Sequence, residues 1–314
     1  MDSRDAADDL LSPAMTPILI GVDVGGTKTA AAVARGDAPL ARADGPGAAL
    51  RPGRALQSAA TIAEVVRRGL ASIGETRGDV LVVGAAGAGR RPERDELARA
   101  LRSEALAEQV VVTTDIEIAL VAAFGDGPGI VVSAGTGSIA VGRDAAGTLH
   151  RMSGYGWQMG DEGSGYAVGR AALGAVSRAR DGRSPATPLQ QRLLAATRSS
   201  DFDDLVRWAA TASPAEVAAL APSVLEVAAG GDLVARGIAD YAARELSQLA
   251  ILLLPLLSAA GAGPVHVALA GGLLELDTAL RRMVLQKLGD HEGLTLVDTP
   301  IDAALGALAM ARKA

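Results

Sequence analysis

The sequence contains no cysteine and little histidine, and these two shortages limit the chemistry open to the protein. None of its 314 residues is Cys, which excludes disulfides, thiolate zinc sites, iron–sulfur clusters and a Cys nucleophile. The three histidines, His150, His266 and His291, leave little material for a histidine metal site. Any reaction must therefore depend on carboxylates, hydroxyls and backbone amides, with at most a hard cation beside them.

Positive charge and an uninterrupted hydrophobic run are also lacking. Lys and Arg number 30 against 36 Asp and Glu, a net charge of −6, and this balance predicts no nucleic-acid partner. Residues 1–16 are acidic and do not resemble a signal peptide, so we expect a disordered tail there. The most apolar stretch, residues 251–274, is interrupted by Pro and Gly. We therefore expect no membrane association and a cytoplasmic location.

Two similar patterns of strands and loops follow each other along the chain. Buried strands are predicted over residues 18–23 and 129–133, and each leads through a glycine-rich loop into a second short apolar run. Alternating strand and helix patterns follow in both halves, whereas residues 36–54, rich in Gly, Pro and Arg, predict an irregular connection. The pattern favours an α/β protein built from two related halves.

The first glycine loop, Asp23–Thr29, reads DVGGTKT. Because Gly25 and Gly26 lack Cβ atoms, several backbone N–H groups could converge on an anion there, beside the Thr27 hydroxyl and the Lys28 charge. The spacing excludes a Walker A loop, in which the Lys comes one residue earlier, and also a dinucleotide-binding fingerprint. An ordinary hairpin turn remains the alternative.

A second loop, Ser133–Ser138, reads SAGTGS and also follows a predicted buried strand. Two such loops in matching positions suit a polyphosphate held between two domains, although each alone could be a simple turn.

Later in the chain, Gly271 and Gly272 follow the predicted strand 265–270. They would permit close approach of a flat ring, or they form a strand-ending turn.

Two further motifs carry carboxylates. Asp115 follows a strand at the point where open α/β sheets bind ligands, so it could act as a general base. The alternative is helix capping, because Thr114 and Glu117 have capping-box spacing.

The segment 154–166, GYGWQMGDEGSGY, contains both Trp157 and Asp161. An aromatic face and a carboxylate suit a sugar, whereas in the alternative Asp161 only caps the next helix.

Taken together and in this order, the motifs resemble the sugar-kinase/actin-like ATPase superfamily. Within it, the chain is similar to the BadF/BadG/BcrA/BcrD ATPases and the N-acetylglucosamine kinases, from roughly Ile18 to Met310. The resemblance implies an α/β fold of two related actin-like (ribonuclease H-like) ATPase domains with a nucleotide cleft between them. Residues 17–115 plus 300–314 would form the first domain and 116–299 the second.

The resemblance also implies a role for each matched residue. Asp115 would take the proton from the 6-hydroxyl of a sugar, and Asp23 would hold Mg²⁺ through water. Trp157 and Asp161 would contact the sugar. The ATP-binding residues would be Gly25, Gly26, Thr27 and Lys28 on the phosphates, Gly135, Thr136, Gly137 and Ser138 facing them, and Gly271 and Gly272 beside the nucleoside.

These matches predict ATP-dependent phosphorylation of an amino sugar of the N-acetylglucosamine or glucosamine type by a homodimer. Two departures concern the sugar: Ala49 and Ile139 stand where family kinases carry Asn. A non-catalytic nucleotide- or sugar-binding protein, or a family ATPase with another substrate, therefore remains an alternative. The missing Cys excludes the iron–sulfur ATPases of the family, and the seventeen residues before Ile18 are too few for a helix-turn-helix.

Overall fold

The computed structural model describes residues 16–258 and 263–314. The tail predicted over residues 1–16 lies outside the described residues, apart from Thr16. Among the described residues, no single helix is long and apolar enough to cross a membrane. One bent pair of helices, over 214–229 and 233–257, meets the length and composition criteria only when the two are taken together.

The strands form two five-stranded sheets with the same order. The first sheet contains β1 (Ile18–Val24), β2 (Lys28–Arg35), β3 (Ala38–Pro46), β4 (Gly78–Ala85) and β5 (Ala107–Thr113). The second contains β6 (Gly129–Ala134), β7 (Ser138–Arg143), β8 (Leu149–Ser153), β9 (Val265–Ala270) and β10 (Leu294–Val297). In each sheet the first strand lies in the centre, with two antiparallel strands on one side and two parallel strands on the other. This repeat confirms the predicted α/β fold of two related halves.

Helices cover both sheets. They are α1 (Ala55–Ala71), α2 (Arg91–Ser103), α3 (Asp115–Phe124), α4 (Gly165–Arg180), α5 (Leu189–Thr197), α6 (Phe202–Thr211), α7 (Pro214–Ala218), α8 (Ala221–Ala229), α9 (Leu233–Leu257), α10 (Ala279–Gly289) and α11 (Ala303–Ala311). The core of the first half joins β1, β2, β4 and β5 to α1 and α2. A larger core joins the second sheet to α4, α5, α8, α9 and α10.

The prediction of an irregular connection over residues 36–54 is wrong, because β3 occupies much of it. This strand pairs antiparallel with β2 and forms the edge of the first sheet. Its side chains are exposed or half-buried, so the backbone ladder holds it in place and no buried apolar pattern marks it in the sequence. The other antiparallel edge strand, β8, was not predicted either, and it too lacks fully buried side chains.

The last helix returns to the first sheet. A Cβ on Gly21 of β1 would collide with the backbone of Leu308, and one on Gly306 would collide with the carbonyl oxygen of Ile118 in α3. Helix α11 therefore lies directly against β1 and α3, because glycine at both crossings removes the side chain that would separate them. The domain boundaries at residues 115 and 300 stay a prediction.

Candidate active site

The two predicted phosphate loops contact each other. Each lies at the carboxyl end of the central strand of its sheet, between β1 and β2 in one case and between β6 and β7 in the other. A Cβ on Gly26 would lie 3.2 Å from Oγ1 of Thr136, so the loops meet with little room for a side chain between them. Gly26 and Thr27 are exposed, which leaves this part of the first loop open to a ligand.

The first loop is supported by the turn that follows β3. The N–H groups of Ala48 and Ala49 both donate to the carbonyl of Gly25, each at 3.2 Å. The predicted phosphate ligand Lys28 forms an ion pair with Asp44 instead, with Nζ 3.1 Å from Oδ1, and its side chain is well exposed. Its contact with phosphate therefore stays a prediction, which would require the side chain to leave Asp44.

The second loop holds the start of α4. The N–H of Gly165 donates to the carbonyl of Gly135 at 2.8 Å, and the Ser138 hydroxyl donates to the carbonyl of Glu162 at 2.7 Å. The structure thus uses the Ser138 side chain to fix the predicted sugar-binding segment. Contact of Ser138 with phosphate stays a prediction, as it does for Gly135, Thr136 and Gly137, which are half-buried.

Asp161 lies against the second loop. Only 8% of its surface is exposed, and its φ of 63° is left-handed, a conformation that costs free energy in a non-glycine residue. Burial raises the pKa of its carboxyl, while backbone hydrogen bonds at Ser138 and Gly156 oppose the rise. The alternative that Asp161 caps α4 is wrong, because the side chain of Ser164 accepts the capping hydrogen bond from Ala167.

The segment before Asp161 presents aromatic and apolar surface. The Trp157 ring is 44% exposed, and its centroid lies 5.1 Å from that of Tyr166 on α4. Tyr155 and Met159 are more exposed still. A partly exposed indole ring that contacts a second aromatic ring could cover one face of a pyranose.

Asp115 is the first residue of α3, separated from the end of β5 by Thr114 alone. The capping box is formed by Thr114 and Glu117, whose carboxylate accepts from the Thr114 N–H at 3.0 Å, so capping does not depend on Asp115. Burial raises the pKa of Asp115 to about 6, although hydrogen bonds from its own N–H and that of Ile116 oppose the rise. A half-buried carboxylate of this kind can accept a proton near neutral pH.

Asp23, at the end of β1, is electrostatically coupled to Asp115. Burial first, then the negative charges of Asp115 and Asp302, raise the pKa of Asp23 to about 7, against the opposing charge of Lys28. No cluster of three or more metal-ligating side chains occurs in residues 16–258 and 263–314. Mg²⁺ often uses one or two carboxylates together with water and phosphate oxygens, so the donors present fit a magnesium ion bound with ATP.

The predicted nucleoside glycines lie beside the second loop. Gly271 has a φ of 84°, and a Cβ there would lie 2.5 Å from the carbonyl oxygen of Ala134. Gly272 opens a short 3-10 turn, Gly272–Leu274. Arg281, buried in α10, fixes this turn by donating to the carbonyl of Leu274 and to Asp298, both at 2.6 Å.

One charged residue of the site was missed from the sequence. Arg151 lies on the unpredicted edge strand β8, where its Nε donates to the carbonyl of Ser153 at 2.9 Å. Its charge acts on both Asp115 and Asp161, because it opposes the rise in pKa of each. An isolated Arg outside any recognised motif gives no sequence signal, so only the fold brings it to these carboxylates.

A family model matches this arrangement and most of the chain. The model described as the BadF/BadG/BcrA/BcrD ATPase family aligns with residues 20–311, which include both glycine loops and all the site residues above. The chain belongs to this family of ATPases. The resemblance inferred from its motifs is thereby confirmed.

Curated and solved relatives of this BadF/BadG/BcrA/BcrD ATPase family member align with most of its length. An N-acetylmuramic acid/N-acetylglucosamine kinase of Clostridium acetobutylicum is 30% identical over 79% of this chain and 83% of its own. An N-acetyl-D-glucosamine kinase of Dictyostelium discoideum is 29% identical over 94% and 97%. The crystal structure of a candidate N-acetylglucosamine kinase from Chromobacterium violaceum is 30% identical, covers 95% and 99%, and superposes with a TM-score of 0.79.

Proposed function

We propose that the protein is an ATP-dependent kinase that phosphorylates the 6-hydroxyl of an amino sugar of the N-acetylglucosamine or glucosamine type. The observation that carries the proposal is the contact between the two glycine loops, with Gly26 against Thr136, beside the coupled carboxylates Asp23 and Asp115. Its relatives named above are kinases of amino sugars, and this supports the choice of substrate class.

In this mechanism Asp115 is the general base. Its carboxylate accepts the proton of the sugar 6-hydroxyl while that oxygen bonds to the γ-phosphorus of ATP, and the bond from the γ-phosphorus to the bridging oxygen breaks to release ADP. The pKa of about 6 leaves most of Asp115 ionised at neutral pH, yet keeps it basic enough to take up a proton. Burial at the start of α3 makes the carboxylate more basic, whereas the N–H groups of Asp115 and Ile116 and the charge of Arg151 limit the rise and favour the ionised form.

The remaining residues position the two substrates. The backbone amides of Gly25, Gly26 and Thr27 would bind phosphate oxygens from one side, and the 135–137 loop would bind them from the other. Asp23 would hold Mg²⁺ through water, and a bound ion neutralises charge on the phosphates. Gly271 and Gly272 would flank the nucleoside. Asp161 would accept hydrogen bonds from sugar hydroxyls, and Trp157 would cover the sugar ring.

Substrate choice depends on Ala49 and Ile139. The Ile139 side chain contacts the segment that holds Asp161: a Cβ on Gly154 would lie 2.8 Å from Cδ1 of Ile139. An apolar side chain there cannot hydrogen-bond a sugar hydroxyl or an acetamido group. Each such group left unpaired on burial costs about 1–3 kcal/mol, or roughly 5- to 150-fold in affinity. We therefore propose weaker use of N-acetylglucosamine than of glucosamine or an N-acyl relative with a larger substituent.

The decisive experiment is a substrate panel with the full-length protein. Mg-ATP is mixed with glucosamine, N-acetylglucosamine, N-acetylmannosamine and glucose, and both ADP release and the phosphorylated sugar are quantified. Sugar-dependent ADP release with an equal amount of sugar 6-phosphate supports the kinase. Nucleotide or sugar binding without ADP release supports the non-catalytic alternative, and ADP release independent of sugar supports an ATPase with another substrate.

The proposed reaction also implies a cellular location, an oligomeric state and a metal requirement. A kinase that uses ATP and a small sugar would work in the cytoplasm, where ATP is available, and we propose that it acts there as a homodimer. Magnesium dependence is part of the proposal as well, since Asp23 offers a carboxylate of the kind that Mg²⁺ uses together with phosphate. Chelation of the metal by EDTA should abolish sugar-dependent ADP release, and excess Mg²⁺ should restore it.

A further inference from the structure

We propose that Arg151 is a positioning residue that holds the sugar-binding segment in shape by linking it to the first half of the molecule. This inference rests on the proposed function for its meaning, because the segment concerned carries Asp161 and Trp157. Arg151 itself lies on β8, at the edge of the second sheet. It belongs to none of the motifs that the sequence reveals.

The segment that follows β8 has a costly backbone conformation. Ser153, Gly154, Gly156 and Asp161 all have positive φ, with values of 60°, 77°, 94° and 63°. Left-handed geometry is unfavourable for Ser153 and Asp161, which carry a Cβ, and it persists only where surrounding contacts enforce it. The chain between β8 and α4 therefore needs an external constraint.

Arg151 supplies that constraint where the chain leaves β8. Its Nε donates to the carbonyl of Ser153 at 2.9 Å, and its Nη2 donates to the carbonyl of Gly154. Because the guanidinium is planar and carries several donors, it binds both carbonyls at once, which the single ammonium of a lysine does less well. The guanidinium also lies 5.2 Å from the centroid of the Tyr155 ring, within cation–π range.

The same side chain reaches the first half of the molecule. A Cβ on Gly89, in the loop after β4, would lie 3.3 Å from Nη1 of Arg151. The guanidinium therefore lies between the loop after β4 and the segment that leads to Asp161. Its effect on both Asp115 and Asp161 agrees with that central position.

Loss of the Arg151 side chain should therefore weaken sugar binding and leave nucleotide binding largely unchanged. Without the guanidinium, the carbonyls of Ser153 and Gly154 lose the hydrogen bonds from Arg151, and its packing against the loop at Gly89 is lost. Trp157 and Asp161 would then be less well ordered for the sugar. The first glycine loop is held by hydrogen bonds that involve no residue of this segment, those from Ala48 and Ala49 to the carbonyl of Gly25, so nucleotide affinity should change little.

The test compares Arg151→Ala and Arg151→Lys with the matched control Arg143→Ala. Arg143, on β7 of the same sheet, also donates to backbone carbonyls, those of Gly125 and Gly127, but it serves a different loop. Loss of two hydrogen-bond donors should raise the sugar KM of Arg151→Ala about tenfold or more. The KM for Mg-ATP should stay within about twofold, and Arg151→Lys should recover part of the loss. Arg143→Ala should leave both KM values within about twofold.

Two further measurements make the result independent of turnover. In a Trp208→Phe background, Trp157 is the remaining tryptophan, so its fluorescence should report weaker sugar binding by Arg151→Ala in a direct titration. Hydrogen exchange should be faster in residues 153–161 of Arg151→Ala than in the Arg143→Ala control. This exchange difference is expected even if no sugar proves to be a substrate, so failure of the kinase assignment and failure of this inference can be told apart.

Three results would overturn the inference. One is a sugar KM and exchange profile for Arg151→Ala that match those of Arg143→Ala. Another is a loss of kcat beyond about a hundredfold with sugar affinity unchanged, which would place Arg151 in the chemical step instead. The third is an equal loss of sugar and Mg-ATP affinity, which would indicate a general structural role. If Arg151→Ala does not fold, the same comparisons apply to Arg151→Lys.

Discussion

The carboxylate of Asp161 packs against the backbone of Gly137 so closely that a Cβ at position 137 would lie 2.6 Å from its Oδ2. No side chain fits at position 137 while the Asp161 carboxylate stays in place, so the glycine there bears on both predicted sites. It presents backbone to the predicted phosphate site, and it leaves space for a buried carboxylate that faces the predicted sugar site. The two predicted sites therefore share one loop.

This contact predicts that Gly137→Ala impairs sugar binding. The added methyl group would displace the Asp161 carboxylate, and a displaced hydrogen-bond acceptor should raise the sugar KM by about tenfold or more. Gly135→Ala is the matched variant, because a Cβ there meets no atom within 4 Å. It should leave the sugar KM within about twofold, whatever it does to the KM for Mg-ATP. Steady-state kinetics with both substrates would contradict the prediction if the two variants had equal sugar KM values.

Asp115→Asn should lose most of kcat and keep the fold. Removal of a general base typically costs about 10²–10⁴-fold in rate. The capping box of Thr114 and Glu117 is untouched by this change, so the melting temperature should not fall and ATP should still bind. Glu117→Ala is the converse control: loss of the cap should cost about 1 kcal/mol of stability with a smaller effect on kcat. Near-normal turnover by Asp115→Asn would show that another group is the base.

The pH dependence of the wild-type enzyme follows from the same residue. The free enzyme needs ionised Asp115, and burial raises its pKa to about 6. Asp23, which would hold Mg²⁺, must be ionised as well, and its pKa is raised to about 7. We therefore expect kcat/KM to rise with pH through about 6 to 7 and to level off above about 8. An ordinary solvent-exposed Asp would give a rise near pH 4, and a profile of that kind would contradict the burial of Asp115 in the free enzyme.

Asp23→Asn should stabilise the fold at the expense of activity. Burial and neighbouring carboxylates raise the pKa of Asp23 to about 7 from its ordinary value of 3.8. Between pH 3.8 and about 7, Asp23 is ionised in the unfolded chain but still protonated in the folded protein. The free energy of unfolding of the wild type therefore falls as pH rises through this range, and the loss is complete above about 7. The variant should melt higher than the wild type at pH 8, and the difference should vanish near pH 3.5. Equal melting temperatures at both pH values would show that Asp23 ionises without penalty.

A matched pair of glycine substitutions tests the crossing of α11 with α3. Gly306→Ala should destabilise the protein by about 1–3 kcal/mol, because its Cβ would collide with the carbonyl oxygen of Ile118 and force the helices apart. Gly237→Ala, at an exposed position in α9 with no atom within 4 Å of the new Cβ, should stabilise by up to about 1 kcal/mol through helix propensity. Urea unfolding of both variants gives the comparison, and a stabilising Gly306→Ala would disprove the close crossing.

Local patterns in the sequence were enough to reveal the repeat and most candidate residues. Buried strands and their glycine loops depend on neighbouring residues alone, so β9 (Val265–Ala270) was predicted with the bounds that the structure has. The strands predicted over 18–23 and 129–133 each extend one residue further, as β1 and β6.

Tertiary structure alone decided the two antiparallel edge strands and the charges around the site. Strands β3 and β8 are held by backbone pairing with β2 and β7 and have no buried apolar pattern of their own. Sequence periodicity detects burial and not pairing. The pKa values of Asp23 and Asp115 are raised mainly by desolvation, and that of Asp23 also by the charges of Asp115 and Asp302. Arg151 reaches the site from β8. The sequence by itself therefore determined which groups could do chemistry, whereas packing of the two halves decided how close they lie and how they are charged.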